Sequence, residues 1–176
     1  MLIDSVHQDN IEKLLRSVEF GWRYNSNTYG RQIENIPAHM YDSPQLTHVM
    51  YFDNAIQTDL LYWQAIQPLL DKLNPTEIFK VKANLLFPHH GPKDYHIPHC
   101  DLDISGWKSC VYYVNNSDGD TILFDKFSHE DSNDLKIIHR ESPEKGRAVV
   151  FDSNRFHASN NPKVNSERMV FNIVYR

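Results

Sequence analysis

Residues 77–87 read EIFKVKANLLF, and at this stretch the spacing of the apolar residues changes from helical to alternating. The apolar residues at alternate positions share one face of an extended chain: Phe79, Val81, Ala83, Leu85 and Phe87. The polar residues between them share the other face: Lys80, Lys82 and Asn84. Because successive side chains of a strand point to opposite faces, the pattern predicts a strand with one face in a core.

Further strand candidates follow, separated by turn-forming residues. The longer ones cover residues 107–115, 121–125, 135–139, 147–151 and 168–175, and two shorter ones lie near residues 97–102 and 156–159. Clusters rich in Asn, Asp, Gly and Pro at residues 115–119 and 143–146 mark two of the turns. About eight short strands after two helices predict an α+β protein with a jelly-roll barrel, whose mouth is the expected ligand site.

The first 75 residues carry the helical signals. Residues 7–18 place four apolar side chains on one stripe, and apolar residues recur at helical spacing over residues 56–73. Pro68 predicts a kink in the second helix, and residues 74–75 predict its end. Residues 22–53 predict loops with a short strand near residues 47–52. We expect one domain over residues 1–176, with residues 1–75 as support outside the barrel and residues 77–176 as the barrel core.

The composition is that of a folded protein, with 40% hydrophobic and 12% aromatic residues among 176. A net charge of −5 disfavours nucleic acid as a partner. Cys100 and Cys110 alone form no disulfide framework, which favours a reducing compartment. The first residues lack the pattern of a secretory signal, and no apolar run is long enough to span a membrane. These features predict a cytoplasmic protein with no membrane partner.

An H-x-D pair, His99 and Asp101, lies in one of the short strand candidates. Residues two apart on a strand point to the same face, so the pair can hold one ion. His157 follows 58 residues later, at the start of another predicted strand. Two imidazoles and one carboxylate form a facial triad that suits Fe(II) and leaves positions open for a bidentate co-substrate and O2.

An isolated H-x-D pair also occurs by chance among surface residues. A second pair, His129 and Asp131, lies in the charged stretch of residues 126–134, and a weaker arrangement joins His139 and Glu141. A charged stretch of this kind is typical of a solvated loop. Since no further motif accompanies these two, His99 and Asp101 are the preferred ligands.

Five motifs follow one another in the second half of the chain. They are PHCD at 98–101, CVYYVN at 110–115, GDTILF at 119–124, PEKGRAVVF at 143–151, and His157 with Arg168 eleven residues later. In order and spacing, residues 79–176 resemble the prolyl-4-hydroxylase-like branch of the 2-oxoglutarate/Fe(II)-dependent dioxygenases; no resemblance covers residues 1–75. The resemblance of residues 79–176 implies a double-stranded β-helix and a catalytic Fe(II) held by His99, Asp101 and His157. It also implies 2-oxoglutarate and O2 as co-substrates, with ascorbate a candidate reductant.

The resemblance further implies contacts to the co-substrate. Arg168 would pair with the distal carboxylate of 2-oxoglutarate, which its planar fork suits; the alternative is a surface arginine on an edge strand. Tyr113 matches a position whose phenol bonds the same carboxylate, and a one-residue register error would put Tyr112 there instead. Asn172 is expected to contact the co-substrate or an iron-bound water.

Two departures from the family pattern leave the substrate open: the turn at 117–120 holds a single glycine, and His96 stands where a tyrosine is common. The leading function is hydroxylation of a peptidyl or free amino acid, proline first, with release of succinate and CO2. An oxygenase acting on another small molecule or a nucleobase is the second. A non-catalytic, cupin-like metal-binding module is the third, and it would need no arginine at position 168.

Overall fold

The computed structural model describes residues 1–29, 41–91, 93–164 and 167–176. Within these ranges lie three helices: α1 (Ser5–Leu15), α2 (Leu60–Ala65) and α3 (Gln67–Leu73). The strands are β1 (Arg23–Asn25), β2 (Gln45–Phe52), β3 (Ala55–Ile56), β4 (Ile78–Leu86), β5 (Lys108–Tyr113), β6 (Thr121–Phe127), β7 (Ile137–Glu141), β8 (Ala148–Asp152), β9 (Arg155–Ser159) and β10 (Arg168–Tyr175). The described residues thus form ten strands where about eight were predicted, because β1, β2 and β3 precede the predicted barrel core and the strand predicted over residues 97–102 is not formed.

The strands form two sheets with antiparallel pairing. The larger has the order β1-β2-β4-β10-β5-β8, with β3 also on β2, and the smaller has the order β7-β6-β9. Side chains of both sheets meet in one apolar cluster: Val111, Tyr113, Leu123, Phe151 and Val170. The sheets therefore face each other. The predicted α+β jelly-roll barrel is confirmed in part: the described residues form mostly β-sheet with a few helices, but their strands do not close into a barrel.

The helices cover the outer face of the larger sheet. Ile11 and Leu15 of α1 and Leu69 of α3 pack on Val81 and Phe171 in the largest apolar cluster. The first helix ends earlier than predicted, and Val18 is almost fully exposed. None of the described helices is long and apolar enough to cross a membrane.

The second predicted helix is two short helices. Ile56, its predicted first residue, lies in β3, and α2 begins after Asp59, whose carboxylate accepts a hydrogen bond from Leu61 N. Pro68 lies in the first turn of α3, where a proline leaves no hydrogen bond unmade. The predicted kink is therefore a break between helices. The predicted end is confirmed at Asn74, which is left-handed with φ 48°.

A bulge in β4 changes the predicted faces of that strand. Val81, Ala83 and Leu85 enter the core as predicted. Tyr175 pairs with Ile78 and Val174 pairs with Lys80, so Phe79 is an extra residue without a partner on β10. Phe79 therefore leaves the face predicted for it and packs edge-on against the rings of Phe52 and Trp107.

Candidate active site

Three predicted ligands converge between the two sheets. One ligand atom each from His99, Asp101 and His157 lies within 4.8 Å of the others, and this is the one such His/Cys/Asp/Glu group found in the described part of the chain. The imidazole centroids are 4.5 Å apart, and His157 Nε2 lies 3.6 Å from Asp101 Oδ2. His157 belongs to β9, whereas His99 and Asp101 lie in the loop that follows residue 96.

That loop is not the strand predicted over residues 97–102. His99 and His157 exchange both backbone hydrogen bonds, 2.9 Å each, as an isolated bridge. A continuous antiparallel ladder would next pair residues 97 with 159 and 101 with 155. The amide of His96 instead donates to Ser159, and the amide of Asp101 donates to Ser153. The register is lost on both sides of the bridge, so backbone bonds to β9 and the turn before it hold the two ligands.

Backbone carbonyls orient both imidazoles. His99 Nδ1 lies 3.2 Å from Ile97 O, and His157 Nδ1 lies 3.1 Å from Arg155 O. A carbonyl oxygen only accepts, so each Nδ1 carries the proton and each Nε2 keeps its lone pair. An outer partner that fixes tautomer and ring orientation is the usual arrangement around a metal-binding histidine.

The electrostatics of the triad also suit a cation. Burial, and next the charge of its neighbour His157, lowers the pKa of His99 to about 3; burial likewise lowers the pKa of His157. Both rings are therefore neutral at pH 7. Burial alone would raise the pKa of Asp101, but Lys80, the two histidines and Ser109 together hold it well below its usual range. Two neutral imidazoles and one carboxylate are a donor set that Fe(II) accepts.

Asp101 is held by three side chains from the larger sheet. Its Oδ2 accepts hydrogen bonds from Ser109 Oγ at 2.7 Å and Asn172 Nδ2 at 3.0 Å, and Lys80 Nζ lies 3.3 Å from its Oδ1. Sequence reasoning missed Ser109, although alternation along β5 places it on the face of Val111 and Tyr113. Asn172 was predicted to contact the co-substrate or a water, and its amide nitrogen contacts this carboxylate. Its Oδ1 is buried, has no hydrogen-bond partner within the described parts of the chain, and can accept a hydrogen bond.

Arg168 is buried, with 4% of its surface exposed. It is therefore not a surface arginine on an edge strand, which was the alternative hypothesis. Its Nε donates to Gly119 O at 2.6 Å, and Nη2 donates to Thr121 Oγ1 at 2.8 Å. No carboxylate of the described residues forms an ion pair with it. A buried cation without a counter-ion is costly, so this environment suits an anionic ligand.

Gly119 is needed where Arg168 passes the turn before β6. A Cβ on this glycine would lie 2.8 Å from Asn160 O and 2.9 Å from Arg168 Cδ, closer than side chains normally approach. The sequence shows only a glycine in a turn, and the contact with the arginine becomes visible once the turn and β10 are placed together.

Tyr113, and not Tyr112, points toward the inner side of the larger sheet. Tyr113 packs with Val111 and Val170, and its hydroxyl donates to Thr121 Oγ1 at 2.8 Å. Tyr112 packs on the helix side, where its hydroxyl is buried without a partner. Thr121 thus contacts both Arg168 and Tyr113, a role that was not predicted for it.

The other acidic and histidine pairs lie outside this group. His129 is exposed and stacks on Phe127, and Asp131 accepts hydrogen bonds from Asn133. His139 is exposed on β7 and pairs with Glu141. Cys100, between the two predicted ligands, directs its thiol to Asn154 O at 3.2 Å.

One open cavity of about 500 Å³ joins the triad to Arg168. His99, Asp101 and His157 line it together with Arg168, Thr121 and Asn172. Alternation along β10 places Arg168, Val170 and Asn172 on the face that borders the cavity. A volume of this size is typical of a small-molecule site.

The fold is that of solved 2-oxoglutarate/Fe(II) oxygenases. An oxidoreductase of the 2OG-Fe(II) oxygenase family from Burkholderia pseudomallei matches with a TM-score of 0.62 and 12% identity, over 99% of this chain and 80% of the other. A prolyl hydroxylase from Trichoplax adhaerens, in complex with a hypoxia inducible factor peptide fragment, matches with a TM-score of 0.57 and 15% identity, over 97% and 77%. The epimerase SnoN with Fe3+, alpha ketoglutarate and nogalamycin RO matches with a TM-score of 0.58 and 13% identity, over 99% and 75%.

Identities this low establish the fold and leave the chemistry to the residues of this chain. No protein-family model and no curated protein matches the sequence. Two of these solved proteins hold different compounds, a peptide fragment in the prolyl hydroxylase and nogalamycin RO in SnoN.

Proposed function

We propose that this protein is an Fe(II)- and 2-oxoglutarate-dependent oxygenase that hydroxylates a C–H bond. One observation carries the proposal: a His-Asp-His cluster and a buried arginine that has no counter-ion among the described residues line the same cavity. A metal-binding module needs only the first of these. The whole chain, residues 1–176, would be one domain of the double-stranded β-helix (jelly-roll) type, with residues 1–75 in support.

His99, Asp101 and His157 would hold Fe(II) as the catalytic metal, through Nε2 of each imidazole and a carboxylate oxygen. Fe(II) with 2-oxoglutarate and O2 supplies the oxidising power for C–H hydroxylation, with succinate and CO2 as co-products. Ascorbate would serve as the reductant that keeps the metal as Fe(II). Ser109 and Asn172 hold the carboxylate in place, and the unpartnered Oδ1 of Asn172 can accept a hydrogen bond from a water.

Arg168 would bind the distal carboxylate of 2-oxoglutarate. Two of its donors are bound to Gly119 and Thr121, which fixes the plane of the guanidinium. The two N–H groups of Nη1 have no partner among the described residues, and a carboxylate accepts such a pair. Tyr113 would support this site through Thr121, because burial raises its pKa to about 12 and keeps the phenol protonated.

The substrate class that we propose is a peptidyl or free amino acid, with proline as the first choice. The motif resemblance to prolyl-4-hydroxylase-like enzymes supports this choice, as does the shared fold with a peptide-binding prolyl hydroxylase. The two free cysteines fit a reducing, cytoplasmic setting. Oxidation of another small molecule or a nucleobase is the alternative within the same chemistry.

The deciding experiment measures succinate formation by the purified protein with Fe(II), 2-oxoglutarate and O2, with peptides, free amino acids and nucleic acids offered in turn. We expect slow succinate release without substrate and faster release with an amino-acid compound. Stimulation by nucleic acid alone would move the substrate class to nucleobases. Absence of succinate release in every mixture, from protein that binds Fe(II), would leave the cupin-like metal module as the function.

A further inference from the structure

The cavity extends beyond the triad across the larger sheet. We call this part the distal chamber and define it by residues on β1, β2 and β4: Asn25, Thr47, Val49, Phe52, Lys82 and Asn84. The sheet order β1-β2-β4-β10 places these residues to one side of the strand that carries Arg168 and Asn172. The roles assigned above use none of them, so the chamber is free to receive the substrate.

Lys82 stands at the boundary between the triad and the distal chamber. In register it pairs with Asn172 of β10 on one side and with Val49 of β2 on the other. Asn172 in turn holds Asp101. Arg168 pairs with Leu86, four residues further along β4 and so about 13 Å away. Its guanidinium is also bound to Gly119 and Thr121, so Lys82 faces a separate part of the cavity.

The lysine has no counter-ion in the described structure. Lys80 Nζ, on the same face, lies 3.3 Å from Asp101 Oδ1, whereas the ammonium of Lys82 makes neither a hydrogen bond nor an ion pair with any described residue. Burial, and next the charge of Lys80, lowers the pKa of Lys82 to about 8. The side chain is therefore still protonated at pH 7.

The charge of the cavity points the same way. Among the described lining residues, three are cationic (Lys80, Lys82 and Arg168) and Asp101 alone is a carboxylate. Fe(II) and 2-oxoglutarate carry equal and opposite charges, so their binding leaves this excess unchanged. One further anion in the cavity would reduce this excess of positive charge. Lys82 is the lysine of the cavity whose ammonium has no partner among the described residues.

Apolar side chains line the chamber on β2, the strand that pairs with Lys82 and Lys80. Val49 is directly opposite Lys82, and Phe52 is opposite Lys80; both line the chamber and are 40% and 46% exposed. A ligand held here by an anionic group would place carbon atoms against these two side chains.

We propose that Lys82 binds a free carboxylate of the substrate, so that the protein acts on a small, partly apolar organic or amino acid and not on a residue inside a peptide. This inference rests on the proposed function, whose substrate it narrows. The α-carboxylate of an internal residue is consumed in the amide bond, so such a residue offers no α-carboxylate to Lys82, whereas a free amino acid does.

The experiment measures binding and needs no turnover. Protein loaded with Mn(II) and N-oxalylglycine, an unreactive analogue of 2-oxoglutarate, is titrated calorimetrically with L-proline, L-valine, isobutyrate and cyclohexanecarboxylate. Each acid is compared with its own carboxamide, and a proline peptide with acetylated and amidated ends is a further ligand. We expect at least one acid to bind tenfold or more tightly than its amide, because a hydrogen-bonded charge pair is stronger than a neutral contact.

Matched variants assign the preference to one side chain. Lys82→Met should abolish the preference for acids over amides, Lys82→Arg should keep it, and Lys72→Met, at an exposed lysine of α3, should leave it intact. A thermal melt of each variant checks that it is folded. The inference is wrong if no acid binds ahead of its amide, if the capped peptide binds as tightly as the best acid, or if the preference survives in Lys82→Met.

Failure of the proposed function would look different. It would show as absence of N-oxalylglycine binding to the Mn(II)-loaded protein, before any acid is added. The comparison of acids with amides can then be repeated on metal-free protein, where Lys82 and the distal chamber are unchanged.

Discussion

Replacing Arg168 with alanine should weaken the binding of 2-oxoglutarate severely while leaving metal affinity nearly intact. Arg168 is 4% exposed, and its Nη1 donors have no partner among the described residues, so a bound carboxylate would be paired in a nearly dry site. Breaking a buried ion pair by removing one partner costs about 3–5 kcal/mol. That is about two to four powers of ten in the dissociation constant. Arginine is not a ligand, so Fe(II) affinity should change less than threefold.

Two further variants make the prediction specific. Arg168→Lys should lie between wild type and Arg168→Ala, because an ammonium keeps the charge but loses the fork. Arg140→Ala is the matched control, since this arginine is partly exposed and pairs with Asp94 on the surface. Affinity for 2-oxoglutarate is measured under anaerobic conditions from the absorbance of the Fe(II) complex, and Fe(II) affinity is measured on the same preparations.

An unchanged dissociation constant for 2-oxoglutarate in folded Arg168→Ala would refute the assignment. The anchor would then have to be another cation of the cavity, with Lys82 first and Lys80 second. Arg155 is a less suitable cation, because it donates to Phe124 O, stacks on Phe127 and does not line the cavity.

Four other outcomes follow from the site. Alanine in place of His99, Asp101 or His157 should abolish Fe(II)-dependent succinate formation in folded protein. Activity in any of these three variants would mean that the metal is bound elsewhere. Cys100→Ala should retain Fe(II) affinity within about threefold, because the thiol is bound to Asn154 O; a large loss would mean that the thiol faces the metal. Gly119→Ala should raise the KM for 2-oxoglutarate at least about tenfold by displacing Arg168, whereas Gly21→Ala, where a Cβ meets nothing within 4 Å, should not. The melting temperature of metal-free protein should fall from pH 7.5 to pH 5. Burial lowers the pKa of His96, His99 and His157 in the folded state, so the unfolded chain takes up protons first and stability is lost below about pH 6.5. A melting temperature that does not change with pH would contradict this.

Local patterns were enough to place most of the strands. β10 begins and ends at the predicted residues, and seven of its eight side chains are buried. The strand predicted over residues 97–102 was wrong. Its side chains alternate correctly, but the backbone bonds of His96 and Asp101 go to partners that are out of register. Such partners lie more than fifty residues away and leave no mark in the local pattern.

The amino-acid sequence by itself determined which chemistry is available. The PHCD motif, the distal His157 and Arg168 eleven residues later already select two imidazoles, one carboxylate and one cation. Alternation on the last strand put Arg168 and Asn172 on one face, because the period of a strand is a local property of the backbone.

Only the tertiary structure decided how these groups meet and what else joins them. The tertiary structure places the side chain of Tyr113, and not that of Tyr112, on the inner side of the larger sheet, because the pairing of β5 with β10 fixes which face of β5 turns inward. It brought Ser109 to Asp101 and placed Lys82 in the cavity, where no described residue serves as its counter-ion. Burial and unmade ion pairs depend on segments that are distant in the chain, so they exist only once the two sheets face each other.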